Sequence, residues 1–308
     1  MNVGSRLAYG CAPIMGRYGK KESQYILETG FDLGVRHFDV ARSYGYGEAE
    51  SLLGNFIKGK QENLTIATKF GVLPSRKAKL LSFAKPFVRP FIRHKIPTSD
   101  EVLFNNPNII DEHLLSDSLK QSLYALNVDK IEMLLIHEPN SNWIMPDNLV
   151  DALSHLIETG VISDWGISGY FNSMDSLLKL NPNFSNKIQT SSNILICQEV
   201  EKLQNLYAVF SPFHRGYIIN LLNSLLSSED YSLKLCEIVN FDVAQKGAPY
   251  LALYLMAPFT GQKIILSTIS PLKLEDNIQV VFDAKAFSKV KAKTAIALIQ
   301  QFKEEQYA

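Results

Sequence analysis

Residues 34–54 read GVRHFDVARSYGYGEAESLLG. The opening part, Val35 to Val40, is a short apolar run carrying an acid, Asp39, at its end. A polar turn with Tyr44, Gly45 and Gly47 follows. From Glu48 to Ile57 the residues Leu52, Leu53, Phe56 and Ile57 recur three and four apart, the spacing of one helical face. Strand, polar turn and helix in that order form the first half of a parallel crossover unit.

The same alternation continues on both sides. Apolar runs occur at Leu7 to Cys11, Val35 to Val40, Leu64 to Lys69, Ile131 to His137, Ser163 to Ser168, Lys187 to Ser192, Tyr207 to Ser211 and Lys263 to Thr268. Between them, Leu114 to Leu126 and Asn148 to Thr159 repeat the helical period of Glu48 to Ile57, and Gly54, Gly59 and Gly160 lie near helix ends, where the chain turns. Eight alternations suit an α/β chain closed into a (β/α)8 TIM barrel, and a doubly wound open sheet shares the periodicity. No linker, repeat or low-complexity tract divides residues 1–308, so a single barrel domain is the simpler expectation.

One segment breaks the rhythm. Gly71 to about Asp111 is too long for an ordinary connection after the third strand. Its portion Ser75 to Lys95, SRKAKLLSFAKPFVRPFIRHK, holds seven Lys or Arg and no acid. Such a stretch suits either a solvated excursion folded over the barrel mouth or a surface for an anionic substrate or partner.

The 308 residues, 46% of them hydrophobic, suffice for a large core. Thirty-one Lys and Arg balance thirty-one Asp and Glu, so the net field selects neither nucleic acid nor an anionic membrane, and a small molecule is the expected partner. MNVGSRLAYGCAP lacks the apolar core of a secretion signal and no later run is long enough for a membrane helix, so a cytoplasmic protein is expected. Cys11, Cys197 and Cys236 lack CxxC spacing and suggest small buried side chains. Oligomeric state leaves no trace in the sequence.

Barrel chemistry is built at the C-terminal ends of strands. There the chain places Asp39 and then Tyr44 after the second run, Lys69 closing the third and His137 closing the fourth. A phenol with a pKa of about 10 is a poor proton carrier at neutral pH, and a neighbouring ammonium such as Lys69 favours its ionised form. A buried lysine in turn needs a carboxylate, which Asp39 supplies, while His137 can orient a substrate oxygen. Taken singly, each has an ordinary role: loop-bonding acid, half-buried aromatic, solvated strand end, hydrogen-bonded core histidine. Their fall at successive strand ends argues for a joint one.

The segments GVRHFDVARSYGYGEAESLLG, ATKFG and MLLIHEP, in that order, resemble the aldo-keto reductases, and the likeness extends over most of the chain. It implies a barrel oxidoreductase that moves hydride between a nicotinamide and a carbonyl or alcohol substrate, with Asp39, Tyr44, Lys69 and His137 as catalytic set and Tyr44 as general acid/base. WGIS (Trp165 to Ser168), IQTSSN (Ile188 to Asn193), VFSPFHRG (Val209 to Gly216) and STISPLKLEDN (Ser267 to Asn277) stand where that family binds its dinucleotide. The resemblance implies Ser168 and Gln189 on the carboxamide and Phe210 stacked on the ring. Ser211, Phe213 and Arg215 then follow the pyrophosphate, and Ser267, Thr268, Lys273, Asp276 and Asn277 hold the adenosine end. The chain departs from the family pattern at Gly169, where an asparagine is common, and at Phe210, where many members have tyrosine. Lys273 is the clear cation available to a 2′-phosphate. NADPH is the implied cofactor, with NADH left open.

Other motifs fall short. Gly45 to Glu50 begins like GxGxxG but ends in glutamate, and Gly54 to Lys60 spells GxxxxGK without the following Ser or Thr and reads as a helix stop. No HExxH occurs, His37, His94, His113, His155 and His214 are scattered, and no metal is expected. GISGY at Gly166 to Tyr170 only approximates a nucleophile elbow. A catalytically weak cofactor-sensing or partner-binding barrel is the alternative, opposed by the complete tetrad. An isomerase or hydrolase leaves Asp39, Tyr44 and Lys69 without a shared task.

Overall fold

In a computed structural model the described residues are 6–16, 18–60, 62, 64–74, 104–105 and 110–306. Eight parallel strands close into a barrel in the order β1-β10-β9-β8-β7-β6-β3-β2. They are β1 (Leu7–Gly10), β2 (His37–Asp39), β3 (Thr65–Phe70), β6 (Ile131–His137), β7 (Ile162–Gly169), β8 (Lys187–Ser191), β9 (Leu206–Phe210) and β10 (Lys263–Leu266). The remaining pair, β4 (Leu73–Pro74) and β5 (Phe104–Asn105), is a short antiparallel ribbon within the long segment after β3. Each of the eight expected runs forms a barrel strand. The basic stretch Ser75 to Lys95 lies outside the described residues.

Contacts divide the chain into two compact units. One comprises Ala8–Lys187 with Ser267–Pro271; the other includes Ile188–Leu266 and the chain from Leu272 onward. In the first, β1, β2, β3, β6 and β7 are buried almost throughout, as parallel strands sandwiched between a filled interior and covering helices must be. Their register sets the site: Gly10 lies beside Asp39, Asp39 beside Ala67, Lys69 beside Leu135 and His137 beside Ser168. Helices Lys20–Asp32, Ala49–Ile57, Glu112–Leu126, Asp147–Glu158 and Phe171–Leu180 cover these strands. Asp111 starts Glu112–Leu126 by accepting from the Leu114 N–H at 2.9 Å, and Asn127, at φ 54°, ends it.

Two glycines are set by close approach. A Cβ on Gly166 would stand 2.0 Å from the Lys187 carbonyl oxygen, so the middle of β7 admits no side chain. Gly54 lies, as expected, near a helix end, in the last turn of Ala49–Ile57, and a Cβ there would meet the Ala125 carbonyl oxygen at 2.4 Å. Its absent side chain lets this helix press against Glu112–Leu126, and the turn itself falls at Gly59, at φ 78°. Gly166→Ala should lower stability by about 1–3 kcal/mol through overpacking, read from the urea midpoint. Gly160→Ala, with open space around its Cβ, should cost less, the strain of its positive φ alone.

In the second unit, the 52 residues from Ser211 to Gln262 hold four helices, Tyr217–Ser227, Glu229–Val239, Phe241–Gln245 and Ala248–Met256, where a regular crossover has one. This is a second departure from simple alternation, masked in sequence by its continuous helical periodicity. Helices Pro271–Asp283 and Lys289–Gln306 follow β10.

Candidate active site

The four catalytic candidates converge within the first unit. Asp39 ends β2, and the polar turn that follows carries Tyr44. That turn is tight: Gly45 and Tyr46 take left-handed backbone at φ 59° and 61°. A Cβ on Gly45 would lie 2.7 Å from that of Met15. Lys69 is the fifth residue of β3 and His137 the last of β6.

Lys69 is the hub. Its ammonium donates to Asp39 Oδ2 at 2.6 Å and to the Val40 carbonyl at 3.0 Å, and lies 3.5 Å from the Tyr44 hydroxyl. The side chains of Lys69 and Asp39 are 2% and 4% exposed, so the pair is dry and each charge depends on the other. The Tyr44 ring meets the His137 ring edge-on, with centroids 5.9 Å apart. One phenol, one ammonium and one imidazole thus lie close together.

The electrostatics differ from the sequence expectation in one respect. A lysine beside Tyr44 was to favour the phenolate, but burial of the hydroxyl, followed by the Asp39 and Glu138 carboxylates, holds the phenol well above its ordinary range. The physical reason is that burial penalises the charged phenolate, and the nearby carboxylates penalise it further. Tyr44 is therefore a protonated donor in the resting protein.

Burial, then the Lys69 charge, drives His137 well below the usual imidazole value, and the ring is neutral. Its Nδ1 has no hydrogen-bond partner among the described residues, which leaves a polar group ready for a ligand. The unfolded chain takes up a proton at this histidine below pH about 6.5 while the folded chain does not. Its share of stability is thus complete above that pH and falls as pH drops. The slope reaches up to about 1.4 kcal/mol per pH unit. Urea midpoints at pH 7.5 and 5.5 should show a loss in the wild type that His137→Gln reduces.

Sequence reasoning missed several neighbours. Glu138, exposed and left-handed at φ 48°, follows His137 and acts electrostatically on Tyr44, as do Cys11 and Tyr170. The HEP of MLLIHEP was the available signal for Glu138. Arg42, Glu50 and Thr68 form a buried network described below.

The residues implied for a dinucleotide are placed as follows. In the first unit, Ser168 is buried beside His137, and Thr268 accepts from the Ser270 N–H at 3.1 Å while its carbonyl accepts from the Tyr9 hydroxyl at 2.7 Å. Ser267 is exposed. In the second unit, Gln189 is buried on β8, Phe210 ends β9 half-buried, and Ser211, Phe213 and Arg215 occupy the turn before helix Tyr217–Ser227. Ser211, His214 and Arg215 have φ of 57°, 42° and 54°, backbone strain that concentrates at ligand-holding turns. Lys273, Asp276 and Asn277 lie in the first two turns of helix Pro271–Asp283. Within the second unit, the Arg215 guanidinium, the Lys273 ammonium and the Gln189 and Asn277 amides are groups able to donate to phosphates or a carboxamide. Among the described residues no group of three or more His, Cys, Asp or Glu is disposed to hold a metal.

The barrel defines a fold class, and comparison with known proteins places the chain within it. A family model described as the Aldo/keto reductase family matches residues 6–205, and the chain belongs to that family. It is similar to pyridoxal 4-dehydrogenase of Microbacterium luteolum, 43% identical over 70 residues, covering 22% of this chain and 20% of that protein. It is also similar to aldo-keto reductase yakc [NADP(+)] of Schizosaccharomyces pombe, 26% identical over 168 residues, covering 53% and 42%. The match therefore spans less than half the length of either relative. Among solved structures, aldo-keto reductase AKR11C1 from Bacillus halodurans (holo form) superposes with a TM-score of 0.65 at 20% identity, covering 96% of this chain and 91% of that one.

Proposed function

We propose that the chain is an NAD(P)H-dependent oxidoreductase that reduces the carbonyl of a small aldehyde, ketone or sugar, or oxidises the corresponding alcohol, with Tyr44 as the proton carrier. The observation that carries this reading is the Lys69 ammonium bound to Asp39 at 2.6 Å and 3.5 Å from the Tyr44 hydroxyl. A structural ion pair alone has no use for a half-buried phenol placed beside it.

A bound nicotinamide supplies the hydride. Tyr44 gives its proton to the carbonyl oxygen, and the Lys69 ammonium, 3.5 Å from that hydroxyl, steadies the phenolate that forms. His137, neutral and rimming the same space, directs the carbonyl oxygen toward the hydroxyl by a hydrogen bond. In the oxidative direction Tyr44 accepts the alcohol proton. Ser168 and Gln189 are the proposed carboxamide ligands and Phe210 the stacking face. Ser211, Phe213 and Arg215 are proposed for the pyrophosphate, and Ser267, Thr268, Lys273, Asp276 and Asn277 for the adenosine end. The preference for NADPH rests on Lys273 and on the NADP(+) in the name of the fission-yeast relative. A cytoplasmic location belongs to the same proposal; among the described residues no helix is long and apolar enough to cross a membrane.

Quenching of protein fluorescence by NADPH and by NADH, titrated side by side, tests the dinucleotide assignment without knowledge of the substrate. Saturable quenching with tighter NADPH binding is expected, and Lys273→Ala should remove most of the difference. No saturable binding of either nucleotide contradicts the assignment. A Cβ on Gly169 would meet just the Met174 methyl at 3.5 Å, an ordinary contact, so a side chain can start at this position, where asparagine is common in the family. Gly169→Asn, by adding a hydrogen bond worth about 1 kcal/mol, should tighten NADPH roughly fivefold, measured in the same titration.

A further inference from the structure

The proposed chemistry uses the inward side of β3, where Lys69 points. Side chains alternate along a strand, so Thr68 points the other way, and there a second buried polar network begins. Thr68, fully buried, donates its hydroxyl to Glu50 Oε1 at 2.6 Å. The other oxygen of Glu50 accepts from Arg42 Nη1 at 3.3 Å, and Arg42 Nη2 reaches Gln121 Oε1 at 2.5 Å. Glu50 is 1% exposed. A carboxylate so dry persists only while its oxygens are satisfied, so the network has few alternative arrangements.

Its members adjoin the tetrad in sequence. Arg42 precedes Tyr44 by two residues, Thr68 directly precedes Lys69, and Glu50 stands in the helix that follows the Tyr44 turn. The inner contact between Lys69 and Tyr44, at 3.5 Å, is long for a hydrogen bond. Asp39 fixes the ammonium, but it does not fix the phenol.

We propose that Arg42, Glu50 and Thr68 are positioning residues that clamp the Tyr44 turn onto the strand carrying Lys69. They touch no reacting atom. They act from the outer side of β3, opposite the Lys69–Asp39 pair, so that strand and turn cannot slide apart. A misplacement of about 1 Å at a reacting group costs on the order of a hundredfold in rate, which gives the clamp its leverage. The proposal rests on the reading of Tyr44 as proton carrier.

Thr68→Val removes the hydroxyl at constant shape, and Thr68→Ser retains it. Thr68→Val should lower kcat about 10- to 100-fold, with KM and the NADPH Kd within about twofold, while Thr68→Ser stays within about threefold of wild type. A second reading needs no turnover. In protein carrying 13Cζ-labelled tyrosine, the Tyr44 resonance is identified by its loss in Tyr44→Phe and followed against pH. Asp39, Glu138, Cys11, Tyr170, Lys69 and His137 all bear on Tyr44 and remain unchanged in these variants. The raised phenol should fall toward the ordinary tyrosine range in Thr68→Val, as a loosened turn admits water, and stay in place in Thr68→Ser. Glu50→Gln, of the same shape, should shift it in the same direction and decides the matter if Thr68→Val does not fold. Wild-type kcat and an unmoved Tyr44 titration in these variants overturn the clamp. A moved titration in a protein that reduces no carbonyl leaves the clamp standing and refutes the proposed function alone.

Discussion

Tyr44→Phe should lower carbonyl reduction by about 10²- to 10⁴-fold, the contribution of a positioned general acid, while changing the NADPH Kd by less than about twofold. The substitution deletes one oxygen and keeps the ring that packs edge-on against His137, so the fold and the neighbouring imidazole are undisturbed. The Lys69–Asp39 contact also survives, because at 2.6 Å it does not depend on the phenol. What is lost is the donor that burial and the two carboxylates keep protonated. Stopped-flow single turnovers separate the chemical step from product release. A rate near wild type would assign the proton to another group.

Lys69→Met should have the largest effect on stability, about 3–5 kcal/mol, because it strands the Asp39 carboxylate in a dry site. The double variant Lys69→Met with Asp39→Leu should regain most of that loss, since a hydrophobic pair replaces an ionic one without desolvating a charge. Both should be inactive. Urea denaturation of the two variants beside wild type checks this. Equal destabilisation of single and double variants would mean that lost packing, not the unpaired charge, dominates.

The barrel was legible because parallel strands covered on both faces must be apolar along their length, and Ile131–His137 appears in the structure with the bounds its run suggests. β2 is shorter than its run, His37–Asp39 within Val35 to Val40. An apolar run marks burial, whereas a strand needs a neighbour in register. That Asp39, Tyr44, Lys69 and His137 come together was readable because the C-terminal ends of barrel strands meet at one mouth. The packing role of Gly54 was not, because a glycine near a helix stop and one that admits a neighbouring helix look alike until the neighbour is in place. Glu50 was harder still. In sequence it was the glutamate that spoiled a glycine-rich fingerprint. Only the fold shows it buried against Thr68 and Arg42. The raised Tyr44 phenol has the same origin, since it depends on burial and on carboxylates that the fold brings near it.

Hydride transfer with Tyr44 as the proton source is tested most directly by following isotope into product. Wild-type protein is incubated with NADPH deuterated at the transferring position of nicotinamide C4 and a carbonyl panel that includes pyridoxal, an aldose and a simple aromatic aldehyde, and the alcohols are analysed by mass spectrometry. At least one alcohol with a single deuterium on its carbinol carbon is expected, formed at least about a hundredfold more slowly by Tyr44→Phe. Saturable NADPH binding with no deuterated alcohol from any carbonyl would contradict it and leave a barrel that senses its nucleotide without turning it over.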